Sequence, residues 1–144
     1  MIPIIKAVYE EQSLYNVQEK KAYTDASEIA FAFKHLEVET KEHFICLHLT
    51  AKNKPLYIDI VSVGSLTQAL VHPREVFKMA LLSNAHSVIF IHNHPSGSYT
   101  PSIEDIKLTS RLEECAQLLG IRVLDHVIIA AKGYYSFANK GLLR

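Results

Sequence analysis

The chain has 144 residues, 49% hydrophobic and 21% charged, the length of one domain with enough apolar material for a real core. It carries 15 Lys and Arg against 15 Asp and Glu, a formal net charge of zero, which argues against a general electrostatic grip on nucleic acid because phosphate neutralisation needs a basic face. Met1-Ile2-Pro3-Ile4-Ile5-Lys6 has neither the basic n-region of a secretory signal nor an adequate apolar stretch, and no membrane span is visible. Cys46 and Cys115 fit no metal or redox spacing. One falls in an expected strand and the other on an expected helix core stripe, so both read as buried reduced thiols, in keeping with a reducing, cytoplasmic setting.

Residues 1–23 read as an N-terminal arm. Ile2 to Tyr9 is strand-like and suited to a sheet edge or a neighbour, and a polar segment follows in which Glu10, Glu11, Gln12, Asn16, Gln18, Glu19, Lys20 and Lys21 dominate. Residues 24–144 read as a single domain. Thr24 to Glu37 is expected to be a helix, opened by the capping-box pattern Asp25-x-x-Glu28, with Ala26, Ile29, Ala30, Phe33 and Leu36 as its apolar stripe. Glu42 to Thr50 is a strand, with Ile45, Leu47 and Leu49 on one face and Glu42, Phe44, Cys46 and His48 on the other. Lys52-Asn53-Lys54-Pro55 turns the chain into an antiparallel partner, Leu56 to Val63. Gly64-Ser65-Leu66-Thr67 begins a connection, and Pro73 opens a helix to about Ser83, with Val76, Phe77, Ala80 and Leu81 inward. His72 and Arg74 either cap that helix or line a site rim.

Ser87 to Ile91 is an unbroken apolar run, as in a strand buried on both faces. Side chains alternate along a strand, so His92 and His94 share one side while Asn93 takes the other and is expected to tie the loop down. Pro95 and Gly97 end the strand. Pro101 and Ser102 mark the entrance of a helix whose Leu108, Leu112, Cys115 and Leu119 recur at steps of four, three and four. Asp105 lies three residues before Leu108, in the first turn and on the inward stripe. Gly120 ends this helix, and Ile121 to Ala130 is another buried strand, interrupted by Asp125 and His126 on opposite faces. That pair is either a satisfied core pair or a source of support behind a site. Lys132-Gly133 leads to a final hairpin strand, Tyr134 to Ala138. Alternation of strand and helix implies parallel pairs, and the earlier hairpin makes the sheet mixed.

Two imidazoles at a strand end and an inward carboxylate at a helix start can converge on one point. Three protein ligands plus a water is the catalytic form of a zinc site. Each feature also has a bland account. Ser102-x-x-Asp105 is a capping-box pattern, and a His-x-His pair is short enough to arise by chance. An ionised carboxylate on an apolar helix face nevertheless needs a partner, because burying an unpaired charge is costly.

At these residues the sequence resembles a known family. His92-x-His94-Pro95 followed by Ser102-x-x-Asp105 is similar to the JAMM signature of the JAB/MPN metalloprotease domains. The fuller string His92-Asn93-His94-Pro95-Ser96-Gly97, with Thr100-Pro101-Ser102, Glu104-Asp105-Ile106 and Leu124-Asp125-His126, resembles the RadC branch, historically labelled as DNA repair proteins. Val71 to Lys78 looks like that branch too, and the resemblance covers roughly residues 24 to 140. It implies an α/β fold in which helices flank a mixed β-sheet as a three-layer sandwich, similar to cytidine deaminase. It implies Zn2+ held by His92, His94 and Asp105. It also assigns Glu42 to the family glutamate that hydrogen-bonds the zinc-bound water; on spacing alone Glu42 reads as a solvated acid at a strand start, and Glu37 and Glu39 lie nearby. Two departures stand out. Ser98-Tyr99 replaces the family's acidic-proline pair, so Tyr99 either shapes substrate entry or fills a loop. The helix-hairpin-helix-like segment of the full RadC pattern has no room in residues 1–23, which counts against carrying over DNA binding.

The chemistry expected from such a site is zinc-dependent hydrolysis of a peptide or isopeptide bond. Glu42 would act as general base and acid, and the Ser102 hydroxyl would stabilise the oxyanion. The expected partner is a peptide or protein substrate, with no membrane; homo-oligomerisation and nucleic-acid contact stay open. The competing reading is a non-catalytic DNA repair-associated or protein-binding module. A nucleotide deaminase-like hydrolase lacks its Pro-Cys-x-x-Cys ligand pair here.

Overall fold

The computed structural model describes residues 1–6, 8, 17, 21–65 and 71–144. In chain order the elements are α1 (Ala26–Ala32), a 3-10 helix (Lys34–Val38), β1 (Glu42–Leu49), β2 (Pro55–Gly64), α2 (Pro73–Leu82), β3 (Ser87–Asn93), α3 (Ile103–Leu119), β4 (Arg122–Ala130) and β5 (Gly133–Ser136). The strands form one sheet in the order β2-β1-β3-β4-β5. Among the described strands only the β3–β4 pairing is parallel.

Strand alternation divides the core into two. On one face Ile45, Leu47, Leu49, Ile89, Ile91, Val127 and Ile129 pack with Tyr23, Ala26, Ile29, Phe33 and Leu36. On the other, Phe44, Cys46, Val88 and Phe90 pack with Val76, Phe77 and Ala80 of α2 and Leu108, Leu112 and Ala116 of α3. The result is a three-layer α/β arrangement around a mixed sheet, as the expected fold class has it. β3 is the middle strand and every one of its seven residues is buried, which is why it reads as a continuous apolar run.

Several local expectations are corrected. The first helix does not run as one piece from Thr24 to Glu37. It leaves the helical region at Phe33 (φ −108°, ψ 19°) and continues as the 3-10 segment. That tighter turn aligns residues three apart, so Phe33 and Leu36 both reach the core, while Ala32 rather than Ala30 completes the buried stripe. Asp25 caps the helix by accepting from the Ser27 and Glu28 N–H groups, and Glu28 turns instead to Thr24 and Lys21. Leu81 and Leu119 are exposed. The inward stripe of α3 is Asp105, Leu108, Thr109, Leu112 and Ala116, one position removed from Cys115, which is only partly buried; both cysteines are free thiols. β2 and β3 are not neighbours, because β1 lies between them. Much of the expected arm falls outside the described residues, as do Leu66 and Thr67 of the connection after β2. Of the arm's described residues, Ile2, Ile4, Ile5 and Val8 are exposed and in no strand.

His48 on β1 is an isolated buried imidazole. The Ser83 hydroxyl donates to the Ala80 carbonyl (3.1 Å), so His48 Nδ1–H donates to Ser83 Oγ (2.8 Å). Its Nε2 has no partner among the described residues. Burial therefore lowers the His48 pKa from 6.5 to about 4. Below pH 6.5 the unfolded chain takes up a proton that the folded chain refuses, so stability falls with falling pH until about pH 4. The loss from this group is at most about 3 kcal/mol. Urea unfolding at pH 7 and pH 4.5 should show His48→Gln losing less stability on acidification than the wild type. Equal losses would show that His48 does not titrate as its surroundings demand.

Candidate metal centre

The site lies where β3 ends and α3 begins. His94 N donates to the Ile129 carbonyl (2.9 Å), extending the β3–β4 ladder one residue past the strand. Gly97, at φ +89°, makes the sharp turn that follows, a conformation that favours glycine. Gly97 N donates to the His94 carbonyl (3.1 Å) and its own carbonyl accepts from Lys132 N (3.2 Å). Within this turn His94 Nδ1–H donates to the Ser98 carbonyl (2.8 Å), which aims Nε2 the opposite way. α3 opens with a full capping box: Ser102 Oγ accepts from Asp105 N (3.0 Å) and Asp105 Oδ2 accepts from Ser102 N (2.8 Å). The cap and the candidate ligand are thus the same residue.

Three donor groups meet. His92 Nε2 and His94 Nε2 are 3.0 Å apart, His94 Nε2 is 3.1 Å from Asp105 Oδ2, and His92 Nε2 is 3.4 Å from Asp105 Oδ1. All three residues offer ligand atoms within 4.8 Å of one another. Zinc–nitrogen and zinc–oxygen bonds of about 2.0–2.1 Å at a tetrahedral angle put ligand atoms about 3.4 Å apart, so this triangle fits one face of such a site. Two imidazoles and a carboxylate are also an apt donor set for a divalent transition metal.

The charges are distributed unevenly. For Asp105, burial favours the neutral acid, but the neighbouring His92 and His94 rings and the Ser102 N–H outweigh it and hold the carboxyl far below the usual range. For His94, burial is likewise outweighed, here by Asp105 and the Ser98 carbonyl, and the pKa rises. For His92, sealed at 1% exposure, burial wins over Asp105 and the pKa falls. The cluster therefore has a wet, ionic edge at His94 and a dry, neutral edge at His92.

Behind His92 lie two residues whose roles the sequence left open or did not mark. His92 Nδ1 is 2.6 Å from His126 Nε2, and His126 Nδ1 is 2.6 Å from Thr109 Oγ1. Burial among Phe44, Phe90 and Phe137 drives the His126 pKa well below its usual value. Of the Asp125–His126 pair, His126 supports the site and Asp125 is structural. Asp125 accepts from His126 N, Ser136 Oγ and Ala138 N, tying down the segment that stacks Phe137 on the His126 ring at 4.7 Å. Thr109 was detectable in principle: it lies four residues after Asp105 and so on the same helix face.

Glu42 starts β1. Phe44 pairs with His92, so the antiparallel register carries Glu42 toward position 94 on the face that bears His92. Its charge favours the protonated forms of both histidines. Asn93 points away from the cluster as expected, and its two amide atoms are both used: Oδ1 accepts from His43 N (2.7 Å) and Nδ2 donates to the Lys41 carbonyl (3.0 Å). These are the residues on either side of Glu42. His72 caps α2 by accepting from Arg74 N (3.1 Å), and Arg74 is exposed; neither belongs to the cluster. Tyr99 packs over Gly133 at the β4–β5 turn.

A mixed sheet between helical layers, with a His-x-His pair at a strand end facing an aspartate of the next helix, defines an α/β domain equipped to hold a metal ion. Comparison with known proteins specifies it further. Residues 23–142 match the family described as the RadC-like JAB domain, and the chain belongs to that family. It is 52% identical over 104 residues to the UPF0758 protein YsxA of Bacillus subtilis, covering 72% of this chain and 45% of that protein. It is 49% identical over 115 residues to a UPF0758 protein of Methanosarcina acetivorans, covering 80% and 50%. The chain thus spans about half the length of the curated relatives it matches. No described helix is long and apolar enough to cross a membrane.

Metal uptake must displace the proton that the raised His94 pKa retains. Affinity should therefore rise with pH through the range in which His94 deprotonates, with proton release accompanying binding below that range. Calorimetry in buffers of different ionisation enthalpy measures that release. His92→Ala and Asp105→Ala should abolish tight binding, and variants that bind as the wild type does would remove the cluster from metal chemistry.

Proposed function

We propose that this domain is a zinc-dependent hydrolase of the JAMM type that cleaves a peptide or isopeptide bond. The observation that carries the reading is the His92–His94–Asp105 triangle, of tetrahedral dimensions, at the accessible end of the buried strand β3. His92 is sealed, while His94 and Ser102 reach solvent, so the triangle has one side from which a substrate can approach. Zinc, when bound, supplies a Lewis acid that lowers the pKa of water toward neutrality and polarises a carbonyl.

The chain's own residues supply the rest. Glu42, carried by the sheet register to the same face as the histidines, takes a proton from the attacking water and returns it to the leaving amine. Asn93 grips Lys41 and His43 and so fixes the backbone that carries this base. Ser102 Oγ accepts from Asp105 N, and among the described residues its O–H has no acceptor, leaving it to donate to the developing oxyanion. The depressed Asp105 pKa keeps its carboxylate ionised and able to ligate throughout the neutral range. A peptide or protein substrate agrees with the net charge of zero, which gives no general attraction for polyanions.

Glu42→Gln separates binding from chemistry. It should retain zinc, measured by metal analysis of the purified protein, yet lower hydrolysis of a peptide or isopeptide library by at least ~100-fold, the usual contribution of a positioned general base. Turnover close to wild type would remove Glu42 from that role. Ser102→Ala should lower kcat by a similar factor and leave zinc in place.

A further inference from the structure

We infer that Thr109 and His126 form a tautomer relay that keeps the His92 Nε2 lone pair bare and directed into the triangle. The inference rests on reading that triangle as a metal site.

The Thr109 hydroxyl has one hydrogen and donates it to the Asp105 carbonyl at 2.7 Å. His126 Nδ1, 2.6 Å from the same oxygen, must then supply the hydrogen for that contact, since Thr109 has none left to give. A His126 protonated on Nδ1 presents a lone pair at Nε2. His92 Nδ1, 2.6 Å away, is therefore the donor, and a neutral His92 with its proton on Nδ1 has an unprotonated Nε2. His126 itself is fully buried between Phe90 and the stacked Phe137 ring, so it cannot turn to find other partners.

The choice is made at this buried end, because Asp105 presents Oδ2 3.1 Å from His94 Nε2 and Oδ1 3.4 Å from His92 Nε2 and so accepts equally from either ring. The alternative setting, with Thr109 donating to His126 and every link reversed, would put a hydrogen on His92 Nε2. A proton on the ligating nitrogen excludes a cation, so the setting of the chain decides whether His92 can ligate. Thr109 and His126 are positioning residues: they act on the metal only through His92. Residues of this kind commonly change metal affinity by about 10- to 100-fold.

The test uses the full chain with 15N-labelled histidine, freed of metal. Long-range 1H–15N correlation spectra should show His92 and His126 both protonated on Nδ1, with pyridine-type Nε2 signals. A pyrrole-type Nε2 on His92 in the wild type overturns the relay, whatever the variants do. Thr109→Val removes the oxygen that accepts from His126 and should give mixed tautomers at both rings and zinc binding about 10- to 100-fold weaker, measured by competition with a chromophoric chelator. Thr109→Ser should restore both. A folded Thr109→Val that binds zinc like the wild type also overturns the relay. The two readings fail separately: the expected tautomers without zinc binding would defeat the metal site alone, and tight zinc binding with His92 protonated on Nε2 would defeat the relay alone.

Discussion

The site depends on an imidazole that has no access to water. His92 lies in the central strand, 1% exposed, stacked against Phe44 on the neighbouring strand at 6.3 Å. Leaving a nitrogen of a polar ring in such a place without a partner is costly. One nitrogen is taken by His126, and the other is presented to His94 and Asp105. Every other feature of the site answers that demand. The α3 capping box fixes the carboxylate, the turn at Gly97 aims His94, and Asp125 clamps the segment that presses Phe137 against His126.

The cluster grades from dry to wet. On the inner side, His92, His126 and Thr109 form a chain of neutral groups walled by phenylalanines, where a charge would be expensive. On the outer side, Asp105 is ionised and His94 readily protonated, next to the α3 N-terminus, whose partial positive charge favours the carboxylate. Such a gradient suits chemistry on polar bonds. The hydrophobic side fixes geometry, and the ionic side meets solvent.

The parts of this arrangement that follow local rules were legible from sequence. Alternation in Ser87–Asn93 put His92 and His94 on one side and Asn93 on the other. The Ser102-x-x-Asp105 pattern marked the helix start, and Asp105 proved to be both the cap and a member of the His92–His94 cluster. The misplaced inward residues share a cause. Leu81, Cys115 and Leu119 are apolar, and apolar periodicity alone cannot say which edge of a broad stripe meets the sheet. On α3 the true stripe includes Asp105 and Thr109, polar residues that hydropathy counts against a core position. The role of His126 was hidden for a different reason. It is set by the β3–β4 register, with an irregularity between Val88 and Ile89, and no local pattern encodes how two strands separated by a seventeen-residue helix slide against each other. Phe33, where α1 gives way to the 3-10 segment, is likewise decided by fit to the sheet.

The Asn93 side-chain amide stands in for a peptide group, prolonging the β1–β3 seam by one rung beyond Phe44 and His92. Peeling Glu42 away from β3 would strand a carboxamide that is 1% exposed with neither partner, at a cost of about 1–3 kcal/mol per abandoned group. The acid and the histidines thus behave as one anvil, not as two jaws. Any give needed to admit a bulky guest has to come from the opposite bank, the 94–101 loop with its solvent-facing Ser98, Tyr99 and Thr100.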